Sequence, residues 1–195
     1  MKSSIALLTS LVLASAAHAE TVSVEVRGPD GRPLEGAVVW VSIAGASAPS
    51  PVGRYTVAQQ NISFEPHVLI VPVGASVEFP NRDRVRHHVY SFSKAKKFDL
   101  KLYGREEHRA VTFDAPGVVS LGCNIHDRMS GYVFVTASRF TAQANGVGRV
   151  IFAGVPQGRA TLNVWHPSIR AAGNTLSQQA SVGSAGLSTM LAVKR

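Results

Sequence analysis

The chain has 195 residues, 45% of them hydrophobic, and a formal net charge of +8 from 20 Lys and Arg against 12 Asp and Glu. That length allows one large or two small domains. A single cysteine excludes an internal disulfide, and the lack of H-E-x-x-H, G-x-S-x-G, a phosphate-binding glycine loop and C-x-x-C-H leaves the corresponding enzyme and haem readings without support.

The chain begins with a positive residue, Lys2, an apolar run from Ile5 to Ala16, and the small-x-small triplet Ala17-His18-Ala19. The run is too short to span a bilayer, so residues 1–19 read as a secretory signal removed before Glu20. No later stretch reaches the roughly 18 apolar residues of a membrane helix. The expected location is a bacterial periplasm. Export also argues against nucleic acid as the partner of the basic surface, and no nucleic-acid motif is present.

Thr21 to Val26 alternates, with Val22, Val24 and Val26 on one face, as a half-buried strand does. Gly28-Pro29-Asp30-Gly31 is a turn, and Ala37 to Ile43 is a second strand. The small-residue stretch Ala44 to Pro51 reads as a linker. Beyond it, strands are expected at Val68–Val73, Val77–Phe79, Val89–Phe92, Val111–Phe113, Val118–Leu121 and Tyr132–Val135, punctuated by Gly and Pro. After Thr136 further strands are expected at Arg149–Phe152, Ala160–Trp165 and Leu187–Val193. No sustained 3.6-residue period appears, so helices should be few and short. The fold class is all-β, built as β-sandwiches.

The chemistry concentrates in Leu121 to Val135, LGCNIHDRMSGYVFV. Cys123, His126 and Met129 put a thiolate, an imidazole and a thioether in one loop. With one more histidine they make the Cys, two His and weak axial Met set of a blue-copper centre. An unpaired thiol in an oxidising compartment also favours a ligand role. The second histidine comes from His87 or His88, which strand alternation turns to opposite faces. Such a set suits one-electron transfer, because soft sulfur favours Cu(I) and imidazole favours Cu(II). His67 should face solvent, His108 lies in a polar run, and His166 should be structural. A multicopper oxidase would need His-x-His pairs, and none occurs, so no catalytic residue and no enzyme activity are expected.

Two resemblances add to this. CNIHDRMSGYVFV matches the spacing C-x-x-H-x-x-M-x-G-x-V-x-V, and VPVGASVEFPN followed by HHV is similar to the strand, turn and first-histidine segment of the cupredoxins. Residues 55–135 thus resemble a plastocyanin- or amicyanin-like Greek-key domain, nearest to the group often labelled methylamine-utilisation proteins. The resemblance implies one Cu(I)/Cu(II) ion on His87, Cys123, His126 and Met129, His87 being selected by the family's order of His, one residue, then Val. His88 stands where that family commonly has asparagine, and Ile125 where many members have proline. VEVRGPDGRPLEGAVVWV and NGVGRVIFAGVPQGRATLNVWHP resemble the early and later strands of a carboxypeptidase-regulatory-like (transthyretin-like) sandwich. That implies a sandwich of residues 20–50 and 137–195 interrupted by the cupredoxin.

The function implied is electron carriage for a redox protein such as a cytochrome or dehydrogenase, with an acidic partner favoured by the basic residues between Arg82 and Arg109. Copper trafficking or storage is an alternative, although Met129 and Met190 are the only methionines after the expected signal. A glycan- or protein-binding sandwich with an accessory metal is another.

Overall fold

The computed structural model describes residues 19–194, so the expected signal segment up to residue 18 lies outside the described residues. The alternation of the first strand, β1 (Ala19–Arg27), translates directly into burial, with Val22, Val24 and Val26 fully enclosed. β2 (Val38–Ile43) follows after the Gly-rich turn. The chain then continues through β3 (Tyr55–Thr56), β4 (Ala58–Gln60), β5 (Ser63–Glu65), β6 (Val68–Pro72) and β7 (Ala75–Glu78). Next come β8 (His87–Ser93), β9 (Lys96–Tyr103), β10 (Ala110–Phe113), β11 (Gly117–Gly122) and β12 (Ser130–Thr136). The last strands are β13 (Thr141–Gln143), β14 (Arg149–Pro156), β15 (Gly158–Trp165), β16 (Thr175–Val182) and β17 (Leu187–Ala192). The protein is all-β. Among the described residues the helical content is one 3-10 turn at Ala172–Asn174, and no helix is long and apolar enough to cross a membrane.

The strands arrange as two packed pairs of sheets and a separate two-stranded hairpin, β4-β5. One pair has the orders β14-β1-β17 and β13-β2-β15-β16, so strands from both ends of the chain close on one core that includes Val24, Val41, Leu162 and Val182. The other has the orders β10-β7-β3 and β6-β12-β11-β8-β9, around Val77, Phe79, Val89, Phe113 and Val133. The second pair is formed from the middle of the chain, and β12 joins β6 in parallel while pairing β11 antiparallel. A third, smaller cluster joins the two pairs. Val38 and Trp165 of the first meet Val68 and Phe134 of the second, with Trp40, Ile70, Val118 and Tyr132 around them.

Two long strands were not expected from the sequence. β9 reads KKFDLKLY, where half-buried Phe98 and Leu100 alternate with exposed Lys97, Asp99 and Lys101. It is the edge of its sheet, a position where charged residues guard against pairing with other chains. β16, TLSQQASV, is likewise an edge strand, and its mostly polar side chains hide the strand signal.

Candidate metal centre

One end of the central sandwich collects the chemistry. His87 opens β8, Cys123 follows the last residue of β11, and the loop from Cys123 returns into β12 at Ser130. β8 and β11 are antiparallel neighbours, with Gly122 in register with Tyr90, so the start of β8 lies beside the end of β11. A hydrogen bond from the Met129 N–H to the His126 carbonyl, 2.9 Å, tightens the loop.

The ligand atoms of His87, Cys123 and His126 all lie within 4.8 Å of one another. Cys123 Sγ is 4.0 Å from His87 Nδ1 and 3.7 Å from His126 Nδ1, and the two imidazole centroids are 4.9 Å apart. Metal–sulfur and metal–nitrogen bonds of about 2.3 and 2.1 Å, meeting at about 110–120°, would separate such donors by about 3.6–3.8 Å. The donor set and its spacing therefore fit a transition-metal ion without rearrangement of the backbone. Met129 sits in the same apolar cluster as Cys123 and is buried. His87 and Cys123 are buried too, while His126 is half-exposed and is the edge of the cluster open to solvent.

His88 is not part of this group. The alternation of β8 turns its ring outward, where Nε2 meets Asp99 Oδ1 at 2.5 Å. Asp99 is held well below the ordinary carboxylate range, first by its hydrogen bond with Lys101 and then by the one with His88. His67 and His108 are exposed, and His166 bonds Ser168 through Nδ1 at 2.7 Å. The three exposed arginines Arg82, Arg84 and Arg86 lie in the loop that leads to His87.

Asp83 is a functional candidate that the sequence reading missed. Its Oδ2 lies 2.8 Å from His87 Nε2, the ring nitrogen that faces away from Cys123. The same carboxylate accepts the Asn61 N–H at 2.8 Å and the Ile62 N–H at 2.9 Å from the tip of the β4–β5 hairpin. Burial pushes the Asp83 carboxyl up, but the Ile62 N–H, the His87 ring and the Asn61 N–H outweigh it, so its pKa falls below the ordinary value. Buried Asn81 braces the same loop. Its side-chain amide donates to the carbonyls of Val85 and Tyr103, and its Oδ1 accepts the Asp83 N–H at 2.9 Å. A carboxylate on the far nitrogen of a histidine fixes the tautomer that leaves the near nitrogen's lone pair free. The only sequence sign of this was an acid four residues before His87, hidden among arginines.

No protein-family model matches the chain, and no curated protein is significantly similar to it. Among solved structures it is similar to a purple cupredoxin from Nitrosopumilus maritimus, at 23% identity over 42% of this chain and 99% of that one, with a TM-score of 0.39. It is also similar to the reduced state of an amicyanin mutant, at 25% identity over 50% of this chain and 99% of that one, with a TM-score of 0.39. A second amicyanin mutant, in its Cu(I) form, gives 25% identity, the same coverages and a TM-score of 0.40.

Proposed function

We propose that the protein is a blue-copper electron carrier whose single copper ion would be held by His87, Cys123 and His126, with Met129 as a fourth, weaker donor. The observation that carries this reading is the convergence of one thiol and two imidazole nitrogens within 4.8 Å, two of the three residues being buried. The wider proposal is that residues 55–135 form a cupredoxin domain interrupting a transthyretin-like sandwich. The protein would be exported to the periplasm, where it would serve an acidic cytochrome or dehydrogenase.

The chain's own residues supply the means. Cys123 presents its sulfur from a nearly dry core, where a metal-bound thiol is a thiolate. Asp83, accepting from His87 Nε2, keeps the His87 Nδ1 lone pair directed at the cluster. Bound copper would supply a one-electron couple. The apolar packing of Val89, Leu121 and Val133 around this end resists movement of the donors, which keeps rearrangement between oxidation states small. A structural zinc site would normally need a fourth Cys, His or carboxylate donor, whereas among the described residues this cluster holds three and the fourth candidate is a thioether.

Titrating the metal-free protein with Cu(II) tests the proposal. The expected result is saturation at one ion, an intense blue colour and reversible reduction. A colourless complex, or a colour unchanged in Cys123→Ser, would sink it.

A further inference from the structure

The outer face of the five-stranded sheet is only partly covered. Over β6 and β12 it packs against Val38, Trp40 and Trp165 of the other sandwich. Over β8 it carries His88, Tyr90 and Phe92, which alternate outward along the strand while His87, Val89 and Ser91 point in. Their rings form a ladder, with centroids 5.4 Å apart between His88 and Tyr90 and 5.2 Å apart between Tyr90 and Phe92. Phe92 ends the ladder 79% exposed. A large aromatic ring standing that far into water contributes nothing to the core and marks a contact surface when it belongs to a patch.

Positive charge predominates around the ladder once its ion pairs are counted, although exposed Asp127, which lines a cavity with Tyr90, is also in no ion pair among the described residues. Asp114 is bridged by Lys96 at 2.8 Å and Asp99 by Lys101. Among the described residues Lys94 and Lys97 make no ion pair, and Lys97 faces Phe92 across the β8–β9 register. The ladder also reaches the metal centre from the side. Tyr90 is in register with Gly122, the residue before Cys123. A Cβ at Gly122 would come within 2.7 Å of the Tyr90 ring, so the ring lies directly on the Gly122 backbone. Tyr90, Cys123 and Met129 line one shallow cavity of about 370 Å³.

We propose that the β8–β9 face, with Tyr90 and Phe92 at its centre and Lys94 and Lys97 at its rim, docks an acidic one-electron redox protein that exchanges an electron with the copper centre. The proposal rests on the copper reading above. Charge selects the occupant, because a second copy of this basic chain would bring like charges together and an acidic protein would neutralise them. The exposed phenyl supplies the apolar centre that a small docking patch needs. With copper bound by His87, Cys123 and His126, one electron would pass from Cu(I) to the partner's oxidised centre, which would be reduced by one electron, with no bond or proton changing.

The test is a titration of the full-length, isotope-labelled protein with a small acidic c-type cytochrome, followed by amide chemical shifts at low and high salt. A basic cytochrome serves as the control. The expected result is a set of shifts running through Tyr90, Phe92 and Lys97, weakened by salt and absent with the basic cytochrome. Phe92→Ser combined with Lys97→Glu should weaken binding by about ten-fold or more. Shifts confined to the end of the sandwich around Val85, Ile125 and His126, or no binding of the acidic cytochrome at low salt, would overturn the proposal. Amide shifts are read on metal-free protein and the blue colour on a separate portion loaded with Cu(II), so failure of the copper reading shows separately from failure of the surface.

Discussion

The Asp83 carboxylate stands 2.8 Å from His87 Nε2 and ties that imidazole to the backbone of a hairpin more than twenty residues earlier in the chain. Asn61 and Ile62 both adopt left-handed backbone conformations there, with φ of 55° and 56°, and this turn aims two successive N–H groups at one carboxylate. The centre is thus held by donors on the ligand loop and by a brace outside it. Asp83→Ala removes the brace from His87 and leaves the two hairpin donors without their acceptor. Loss of such a partner typically lowers metal affinity by about 10–100-fold. Chelator competition should read a loss in that range, with Asp83→Asn nearer its lower end, because the amide oxygen can still accept one bond.

His87 and His88 are adjacent in sequence and opposite in space, and substitution should separate them sharply. His87→Ala removes a donor from the buried cluster and should lower Cu(II) affinity by more than about 100-fold, beyond the loss of a supporting partner. His88→Ala breaks only a pair with Asp99 outside the ligand cluster and should leave the colour and affinity unchanged. Equal losses in both variants would show that β8 delivers the metal donors in some other way.

Cys123, His126 and Met129 were legible because all three fall in one short loop, where spacing alone brings them near one another. The two-residue period of a strand put His87 and His88 on opposite faces, and the order of His, one residue, then Val in the cupredoxin resemblance singled out His87, which the structure brings together with Cys123 and His126. Asp83 was not, since its partners Asn61, Ile62 and His87 are brought together by tertiary folding, and an acid between Arg82 and Arg84 reads as a solvated charge. The strands that face the core on alternate residues, such as Thr21 to Val26, were visible in the apolar pattern. β9 and β16 escaped because edge strands carry charged and polar side chains outward, and their pairing is decided by neighbours rather than by composition. The joint between the two sandwiches had no local signal either. Trp40, Tyr132 and Trp165 are distant in sequence, and the meaning of their bulk appears only when the sheets face each other.

Gly131 occupies the glycine position of the spacing C-x-x-H-x-x-M-x-G, and the structure supplies the reason. A Cβ there would lie 2.8 Å from the Cβ of buried Phe64 and 3.2 Å from the His67 carbonyl. Neither neighbour is the free end of a flexible chain. Gly131→Ala should therefore cost about 1–3 kcal/mol by overpacking, read as a lower urea midpoint with unchanged slope. Because Gly131 pairs with Leu121 across β11 and β12, the same variant should also perturb the blue absorption.

His166 gives the stability a pH dependence of known sign. Burial, and then the nearby His67, holds its pKa below the ordinary value of 6.5. Below that value the unfolded chain takes up a proton at this site more readily than the folded one, so stability falls as pH falls through the window just beneath 6.5. Above it both states are neutral and the contribution is fully present. Melting temperature measured on metal-free protein should drop on going from pH 7 to pH 5, and His166→Gln should flatten that part of the profile.

Trp165 joins the two sandwiches. Its ring is buried, with centroids 5.0 Å from Tyr132 and 5.9 Å from Phe134, both on the outer face of the sheet that leads out of the ligand loop. Truncating a buried Trp costs about 3–5 kcal/mol. Here the loss falls on the joint and on the end of β15, while the residues that hold Cys123 and His87 lie on the far face of the central sheet. Trp165→Ala should therefore convert a single unfolding transition into two, the flanking sandwich melting first. The blue colour should persist through the first transition and vanish in the second, followed by absorbance and far-ultraviolet circular dichroism on one sample. Simultaneous loss of both signals would mean that the central sandwich depends on the flanking one for its stability.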